Sequence, residues 1–521
     1  MLGVVAVVAA TVALLRTAWL DLPVALDEAG FLVVGGAWSQ PVPAGTPEGS
    51  TIYGAYWLDR PPGLVAIFQA AAATGADAQV RAVHVIGVVA ATALVLAVAY
   101  AAHQLLRDSP GRRAGAVVAA VAAGVWVSSP LMGTAVVNGE LLAAPWTALG
   151  LGLLATAVSA RVAGRRRPSW AYAAAAGAAG AAAASVKQNM VDVFVAAVVL
   201  LLAYALLRRL RTRSALGLAV AGGAGALAAV AAVTGWALLQ GTTVDGVWYA
   251  TYGFRIDALV EVPAGRAAAD RARAVELAYA AARSGLPLVL LVLAWRIFGR
   301  RRDPWGWTLG AVGAYALASI VLGGSFWDHY LVQLVVPAAL GLGWIVGTWP
   351  TPAGAATRSR APVGLVPVAA LGLVAVVAAP AWQSVADTDS AAPGQVVGRA
   401  VAAVAAPTDT LVSTVRDPAI QLGAGLDSPY PYLWALPAFV LDPGAEQLQD
   451  LVADGVPTWV VTGPPTSGAT DEVATALRAG YRVVARACGG RIWLRTDVVR
   501  AAPASGCPTR RPPDPVRPLG G

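Results

Sequence analysis

Uninterrupted apolar runs dominate the sequence, and their length constrains the fold more than any other feature. A helix needs roughly 20 residues to cross about 30 Å of hydrocarbon, and runs of this size recur from the first residues to position 380. Of the 521 residues, 57% are hydrophobic and only 13% are charged, whereas soluble domains carry about 25% charged residues. The sequence therefore predicts a polytopic α-helical membrane protein with about eleven transmembrane helices.

The first run, MLGVVAVVAATVALLRTAWL, lacks the basic start and the small-residue cleavage site of a secretory signal, so we interpret it as a retained first helix. The predicted spans cover residues 3–20, 80–103, 114–130, 139–160, 169–186, 190–207, 215–239, 285–298, 305–322, 331–348 and 362–380.

Basic clusters between the spans predict the orientation in the membrane, because short cytoplasmic loops are enriched in Lys and Arg. The clusters are RDSPGRR at 107–113, RVAGRRRP at 161–168, RRLRTR at 208–213, RIFGRRRD at 296–303 and TRSR at 357–360. All of them fall on alternate connections, which we assign to the cytoplasm. The net charge of +8 then reflects topology and indicates no nucleic-acid partner. The other connections, including the long loops 21–79 and 240–284, are predicted to face outward from the plasma membrane.

The composition changes after residue 380, where long apolar runs give way to short alternating segments. TDTLVSTVR, PTWVVTG, YRVVARA and RIWLRT are typical of strands, and AEQLQDLVADG and TDEVATALRAG are typical of helices. We therefore divide the chain into a membrane domain at 1–380, an extracytoplasmic α/β domain at 381–500 and a Pro-rich, disordered tail at 501–521.

The chain has two cysteines, Cys488 and Cys507. An oxidising outer compartment would allow one disulfide between them, with two unpaired thiols as the alternative. The three histidines, His84, His103 and His329, are too few and too scattered for zinc spacing.

Asp27 and Glu28 lie side by side just after the first span, at the predicted outer face. Carboxylates at the edge of a bilayer cost several kcal/mol unless they are solvated, paired or used, so they suggest a functional site. The alternative is a pair of ordinary interfacial acids. On a regular helix neighbouring side chains diverge by about 100°, so one acid would do chemistry and the other would support it.

Other charged residues share that face. Asp59 and Arg60 precede two prolines in LDRPPG, and Arg is well suited to phosphate because its donors are fixed and always charged. Lys187 in VKQN departs from the cytoplasmic charge bias, and FWDHY brings His329 and Tyr330 to the top of a later span. Taken singly, a snorkelling Arg, an isolated outer Lys and a hydrogen-bonded interfacial His would explain these residues equally well.

The order of these motifs resembles the membrane glycosyltransferases of the GT-C fold, in the branch of the protein O-mannosyltransferases and the lipid A aminoarabinose transferases. The resemblance covers roughly residues 1–350 and rests on motif order and sidedness together, with VNGELL near a later helix start and HYLVQLVVP as further elements. It implies an inverting enzyme that takes a sugar from a polyprenyl-phosphate donor and gives it to a cell-envelope acceptor.

By this resemblance Asp27 is the general base and Glu28 its supporting neighbour. The substrate-binding positions that it implies are Asp59, Arg60, Glu140, Lys187, His329 and Tyr330. Relatives usually carry Lys where this chain has Arg60, which keeps the charge and changes the contact geometry. Some relatives bind a divalent metal in the outer loops, but 240–284 contains no His, so no metal site and no tightly bound cofactor are carried over.

Two other classes of protein compete with a glycosyltransferase. A transporter or flippase of lipid-linked sugars would show internal repeats and charged residues near helix midpoints, whereas here the notable charges lie at one face and no long repeat is evident. A non-catalytic membrane scaffold that presents the α/β domain would not require these charged residues to share a side. The sequence thus favours transfer chemistry and leaves the sugar, its linkage and the acceptor open.

Overall fold

The computed structural model describes residues 1–261, 267–300, 302–349, 392–463 and 471–507, together with Ala379 and Trp382. The first part of the chain is almost entirely helical. Helices α1 to α15 are Leu2–Thr17, Leu26–Ala37, Pro62–Ala72, Gln79–Leu105, Arg112–Val127, Gly139–Val162, Arg166–Val186, Asp192–Leu206, Thr212–Leu239, Val244–Trp248, Phe254–Glu261, Ala267–Arg283, Leu286–Gly299, Pro304–Gly323 and Val332–Gly347.

Helices form at ten of the predicted spans, namely α1, α4 to α9 and α13 to α15. A helix satisfies its backbone donors and acceptors internally, which a chain in hydrocarbon requires. Within the described residues, five helices are long and apolar enough to cross a membrane, and a sixth span arises if α12 and α13, bent by 67°, count as one. The protein is therefore a multi-pass helical membrane protein, and the count of eleven spans stays a prediction. The predicted span 362–380, apart from Ala379, and the loop 357–360 lie outside the described residues.

Local sequence explains where several helices begin. Pro62 sits at the first position of α3, where its missing N–H costs nothing. The Asn138 side chain caps α6 by accepting from the Leu141 N–H at 3.0 Å. In α2, Glu28 reaches back to the Ala25 N–H at 2.9 Å, which ties the start of the helix to its own first turn. These starts place the charged residues of 27–28, 59–60 and 140 at helix ends.

The C-terminal part carries a four-stranded sheet in the order β1-β2-β4-β3. The strands are Leu411–Ser413, Trp459–Thr462, Tyr481–Ala487 and Gly490–Arg495, and helices α16 to α20 are Pro393–Ala402, Pro418–Ala424, Ala435–Leu441, Glu446–Ala453 and Asp471–Gly480. β1 and β2 are parallel, with Leu411 opposite Trp459, and the other two pairings are antiparallel. Strands and helices lie where the sequence patterns predict them, except that α16, α17 and α18 have no counterpart in the predicted segments.

The C-terminal part packs directly on the helical part. Trp57 and Phe254, from the two long loops, belong to one buried cluster with Val412, Tyr432 and Val460. The rings of Trp57 and Phe254 are 4.4 Å apart, and the Trp57 N–H donates to the Pro431 carbonyl at 3.2 Å. Helix α17 lies against α2. This packing brings C-terminal residues next to the helix that carries Asp27.

Cys488 and Cys507 form a disulfide with their Cα atoms 4.9 Å apart. Cys488 follows β3, and Cys507 lies beyond the last strand. The bond therefore attaches the segment after β4 to the sheet. Residues 508–521, which hold most of the Pro-rich tail, lie outside the described residues.

We expect the double variant Cys488→Ser and Cys507→Ser to lose up to about 3 kcal/mol of stability, because a crosslink over a loop of this size restricts the unfolded chain. Thermal unfolding of purified protein, with and without a reductant, measures the effect. The reductant should lower the midpoint of the wild type and leave the double variant unchanged. Two freely alkylated thiols in protein purified without reductant would contradict the prediction.

Candidate active site

The adjacent acids of α2 point to different surroundings. Glu28 is buried, with 1% of its surface exposed, whereas Asp27 is half-buried. Glu28 Oε1 accepts from the Val137 N–H at 2.6 Å, and its Oε2 accepts from Ala25 N–H and lies 3.5 Å from His84 Nε2. Both oxygens are thus occupied by groups of the protein itself. The contacts of Glu28 are those of a structural support, as expected for the second acid of the pair.

A buried arginine that the sequence analysis did not select holds the same region. Arg16, at the end of α1, donates to the Val127 carbonyl at 2.9 Å and to the Thr134 carbonyl at 2.8 Å. Its guanidinium also lies 4.7 Å from the centre of the Trp19 ring. The turn between α5 and α6 is therefore fixed from one side by Arg16 and from the other by Glu28.

Asp59 and Arg60 form an ion pair in front of α3, with 2.7 Å between Asp59 Oδ1 and an Arg60 terminal nitrogen. The other oxygen, Asp59 Oδ2, pairs with Arg255 at the start of α11. Asp59 is buried, at 5% exposure. One carboxylate thus holds two guanidinium groups, and each guanidinium carries five N–H donors, more than this carboxylate can use.

Arg60 lies within electrostatic reach of several other predicted residues. Burial disfavours its charged form, and Asp59 is the strongest of the groups that oppose this effect. Asp27, Tyr330 and Glu140 act in the same direction, so the pKa of Arg60 lies above its ordinary value. The Arg60 guanidinium therefore interacts electrostatically with acids of the loop before α3, of α2 and of α6.

Glu140, in the first turn of α6, anchors the second half of the cluster. Its Oε1 lies 2.8 Å from Lys187 Nζ, and its Oε2 lies 3.9 Å from His329 Nε2. The Lys187 ammonium also sits 5.2 Å from the centre of the Tyr330 ring, and the His329 ring stands at 90° to that ring. The packing leaves little room, since a Cβ atom at Gly139 would come within 3.0 Å of Lys187 Cδ.

Asp27 has one partner from the far end of the sequence. Its Oδ1 accepts from the Trp434 indole Nε1 at 3.0 Å. Among the residues described, no donor forms a hydrogen bond with Asp27 Oδ2. Asp27 therefore has a fixed orientation and one carboxylate oxygen free to accept a proton.

The structure brings together Asp27, Asp59, Arg60, Glu140, Lys187, His329 and Tyr330, and it sets Glu28 behind them as a support. Chemically, the cluster offers cations with unused donors beside a carboxylate that has a free oxygen, an arrangement that can bind a phosphate and take a proton nearby. In the described part of the chain, no group of three or more His, Cys, Asp or Glu side chains is arranged to hold a metal ion.

Arg16, Arg255 and Trp434 were not predicted from the sequence. Arg255 had a usable signal, because TYGFRID places an Arg in a predicted outer loop, which is the same departure from charge bias that drew attention to Lys187. Trp434 had no such signal in the sequence, because its contact joins residues 407 positions apart.

No known protein family matches the sequence, and no curated protein matches it. Solved structures do match the fold. ArnT from Cupriavidus metallidurans in the apo state, a lipid A aminoarabinose transferase, is 16% identical with a TM-score of 0.55 over 94% of this chain and 97% of that chain. The same protein bound to undecaprenyl phosphate is 15% identical, with a TM-score of 0.55 over 96% of this chain and 99% of that chain. The archaeal oligosaccharyltransferase AglB from Archaeoglobus fulgidus, in complex with an inhibitory peptide and a dolichol-phosphate, is 13% identical, with a TM-score of 0.52 over 88% of this chain and 69% of that chain. Both are GT-C glycosyltransferases, and this chain is similar to them in fold over almost its whole length.

Proposed function

We propose that the protein is an integral membrane glycosyltransferase that moves a sugar from a polyprenyl-phosphate donor to a hydroxyl of a cell-envelope acceptor, at the outer face of the plasma membrane. The observation that supports this function most is the position of Asp27, whose Oδ2 has no hydrogen-bond donor among the described residues and whose carboxylate acts electrostatically on Arg60. A base close to a phosphate-binding group is what sugar transfer from a lipid phosphate requires.

The donor phosphate binds between the two halves of the cluster, to Arg60 and Arg255 on one side and to Lys187 on the other. Each of these cations already has a carboxylate partner, Asp59 or Glu140, which fixes its position before the donor arrives. The phosphate therefore meets oriented donors, which lowers the reorganisation needed on binding. His329 and Tyr330 pack beside Lys187 and set the width of this side of the site.

Transfer is a direct displacement in this proposal. Asp27 Oδ2 takes the proton of the acceptor hydroxyl while the acceptor oxygen forms a bond to the anomeric carbon. The bond between that carbon and the phosphate oxygen breaks, and its electron pair leaves on polyprenyl phosphate. Of the other carboxylates placed at the cluster, Asp59, Glu140 and Glu28 are engaged with Arg60, Lys187 or the backbone. None of these three is free to attack the sugar, and a single displacement by the acceptor inverts the anomeric centre.

The structural relatives support the choice of donor. The ArnT structure contains undecaprenyl phosphate, and the AglB structure contains dolichol-phosphate. Both ligands join a phosphate to a polyprenyl chain, which suits a charged site at the boundary of apolar helices. Within this class we propose a hexose or pentose, such as mannose or arabinose, as the transferred sugar and a glycan, lipid or protein as the acceptor.

The direct test is a screen of polyprenyl-phosphate sugars with the purified protein in lipid nanodiscs. Release of polyprenyl phosphate that depends on an added acceptor supports the function. Protein that is folded and binds these donors, yet releases no polyprenyl phosphate with any donor and acceptor pair, would overturn it.

Arg60→Ala should weaken donor binding by about 1 to 3 kcal/mol, because it removes a charge-assisted bond to the phosphate. Titration of polyprenyl phosphate into nanodiscs measures the affinity. Arg81→Ala is the matched control, since Arg81 is an exposed outer arginine that pairs with Asp21 at 3.8 Å. Equal affinities for Arg60→Ala and wild type would remove Arg60 from the phosphate site.

Asp27→Asn should lower turnover by about 10²-fold or more while donor binding persists, because an amide keeps the size of the side chain but takes no proton. Asp21→Asn, at an exposed acid of the same loop, should leave turnover unchanged. Near-normal turnover of folded, donor-bound Asp27→Asn would show that the base lies elsewhere. We expect Glu28→Gln to affect stability more than chemistry.

We also propose a membrane topology with about eleven spans and an α/β domain on the extracytoplasmic side. A reporter fused after Arg167 should stay in the cytoplasm, and one fused after residue 400 should be outside. An alkaline phosphatase and green fluorescent protein pair distinguishes the two compartments. If both fusions report the same compartment, the span count is wrong by an odd number.

A further inference from the structure

The contact between Trp434 and Asp27 joins the C-terminal part of the chain to the candidate base. The indole N–H donates to Asp27 Oδ1 at 3.0 Å. Trp434 is half-buried and stands immediately before α18. The residue belongs to the part of the chain that carries the sheet, to which the mechanism above assigns no role.

The surroundings of Trp434 hold the indole in this position. Its six-membered ring lies against Gly30, where an added Cβ would come within 2.1 Å of the indole carbon Cζ2. The Phe31 ring is 5.7 Å away, centre to centre. Position 30 therefore has no room for a side chain while the indole is in place.

The backbone on either side of the contact is also fixed. Pro431, three residues before Trp434, accepts from the Trp57 N–H at 3.2 Å, and α17 packs against α2. The segment that presents the indole is thus attached to the loop that carries Asp59 and Arg60 as well as to α2. The indole is part of a built arrangement and does not rest on a single hydrogen bond.

We propose that Trp434 is a positioning residue for the general base, an inference that rests on the proposed function of Asp27. By holding Oδ1, the indole turns Oδ2 toward the charged cluster, where the acceptor hydroxyl must lie. The indole therefore keeps Asp27 oriented, and the C-terminal part completes the site.

Trp434→Phe tests this role, because a phenyl ring keeps an aromatic side chain at this position but has no N–H. We expect kcat to fall about tenfold while KM for the donor stays unchanged. A tenfold fall corresponds to about 1.4 kcal/mol, which is the size of the loss expected for one neutral donor to a charged acceptor. Trp248→Phe, at an exposed tryptophan of loop 240–284, is the control and should match wild type. An unchanged kcat in Trp434→Phe would overturn the proposal.

Gly30→Ala disturbs the same contact at its α2 side, because the added methyl group would displace the indole. If both changes act through Asp27, the double variant Gly30→Ala with Trp434→Phe should be no slower than the slower single variant. Fully multiplicative losses would mean that the two residues act separately, which contradicts the proposal.

A measurement that needs no turnover separates this inference from the proposed function. The Trp434 indole N–H signal, assigned in ¹⁵N-Trp-labelled protein by its loss in Trp434→Phe, should shift when Asp27 is replaced by Asn. An indole signal indifferent to Asp27 would overturn the positioning role even in an active enzyme. A coupled signal in protein that transfers no sugar would instead refute the proposed function alone.

Discussion

The buried carboxylate of Glu28 is the interaction on which the arrangement of the site depends. It joins the start of α2 to the turn before α6 through the Val137 N–H at 2.6 Å, and it meets α4 at His84. Adjacent side chains on a helix diverge by about 100°. Because Glu28 points into the protein interior, Asp27 lies on a different face of α2. The turn that Glu28 holds leads directly into Glu140, so one buried acid sets the relative positions of Asp27 and of the Glu140–Lys187 pair.

The charged residues of the site stabilise one another in pairs. Asp59 with its two arginines and Glu140 with Lys187 place cations at the apolar boundary without leaving a buried charge unpaired. Removing one member of such a pair typically costs about 3 to 5 kcal/mol, because its partner is left uncompensated. In the proposed function, the same carboxylates that hold the cations would also moderate their attraction for the donor phosphate, which would favour release of a charged product.

Many residues of this site could be predicted from the sequence because they share the predicted outer side of the membrane. Asp27, Arg60, Lys187 and His329 were all predicted to lie at the outer face, Lys187 because it departs from the cytoplasmic charge bias, and the structure gathers them into one cluster. The helical segments were also predictable, since hydrocarbon imposes long apolar runs. The contacts of Trp434 and Arg16 were not, because they depend on how distant segments pack. The helices α16 to α18 were not predicted from the sequence either.

The hydrogen bond between Trp434 and Asp27 has a consequence for the order in which the protein matures. Its two residues are 407 positions apart, and at about 5 to 20 residues per second the ribosome needs roughly 20 to 80 s to make the stretch between them. Throughout that interval the nascent chain holds the acid without its indole partner, although the first helices are already complete. The contact that orients Asp27 forms only after the helical part has been made, so a truncated chain that ended before Trp434 would lack it. The charged residues of the helical part are thus synthesised before the C-terminal residue that holds Asp27.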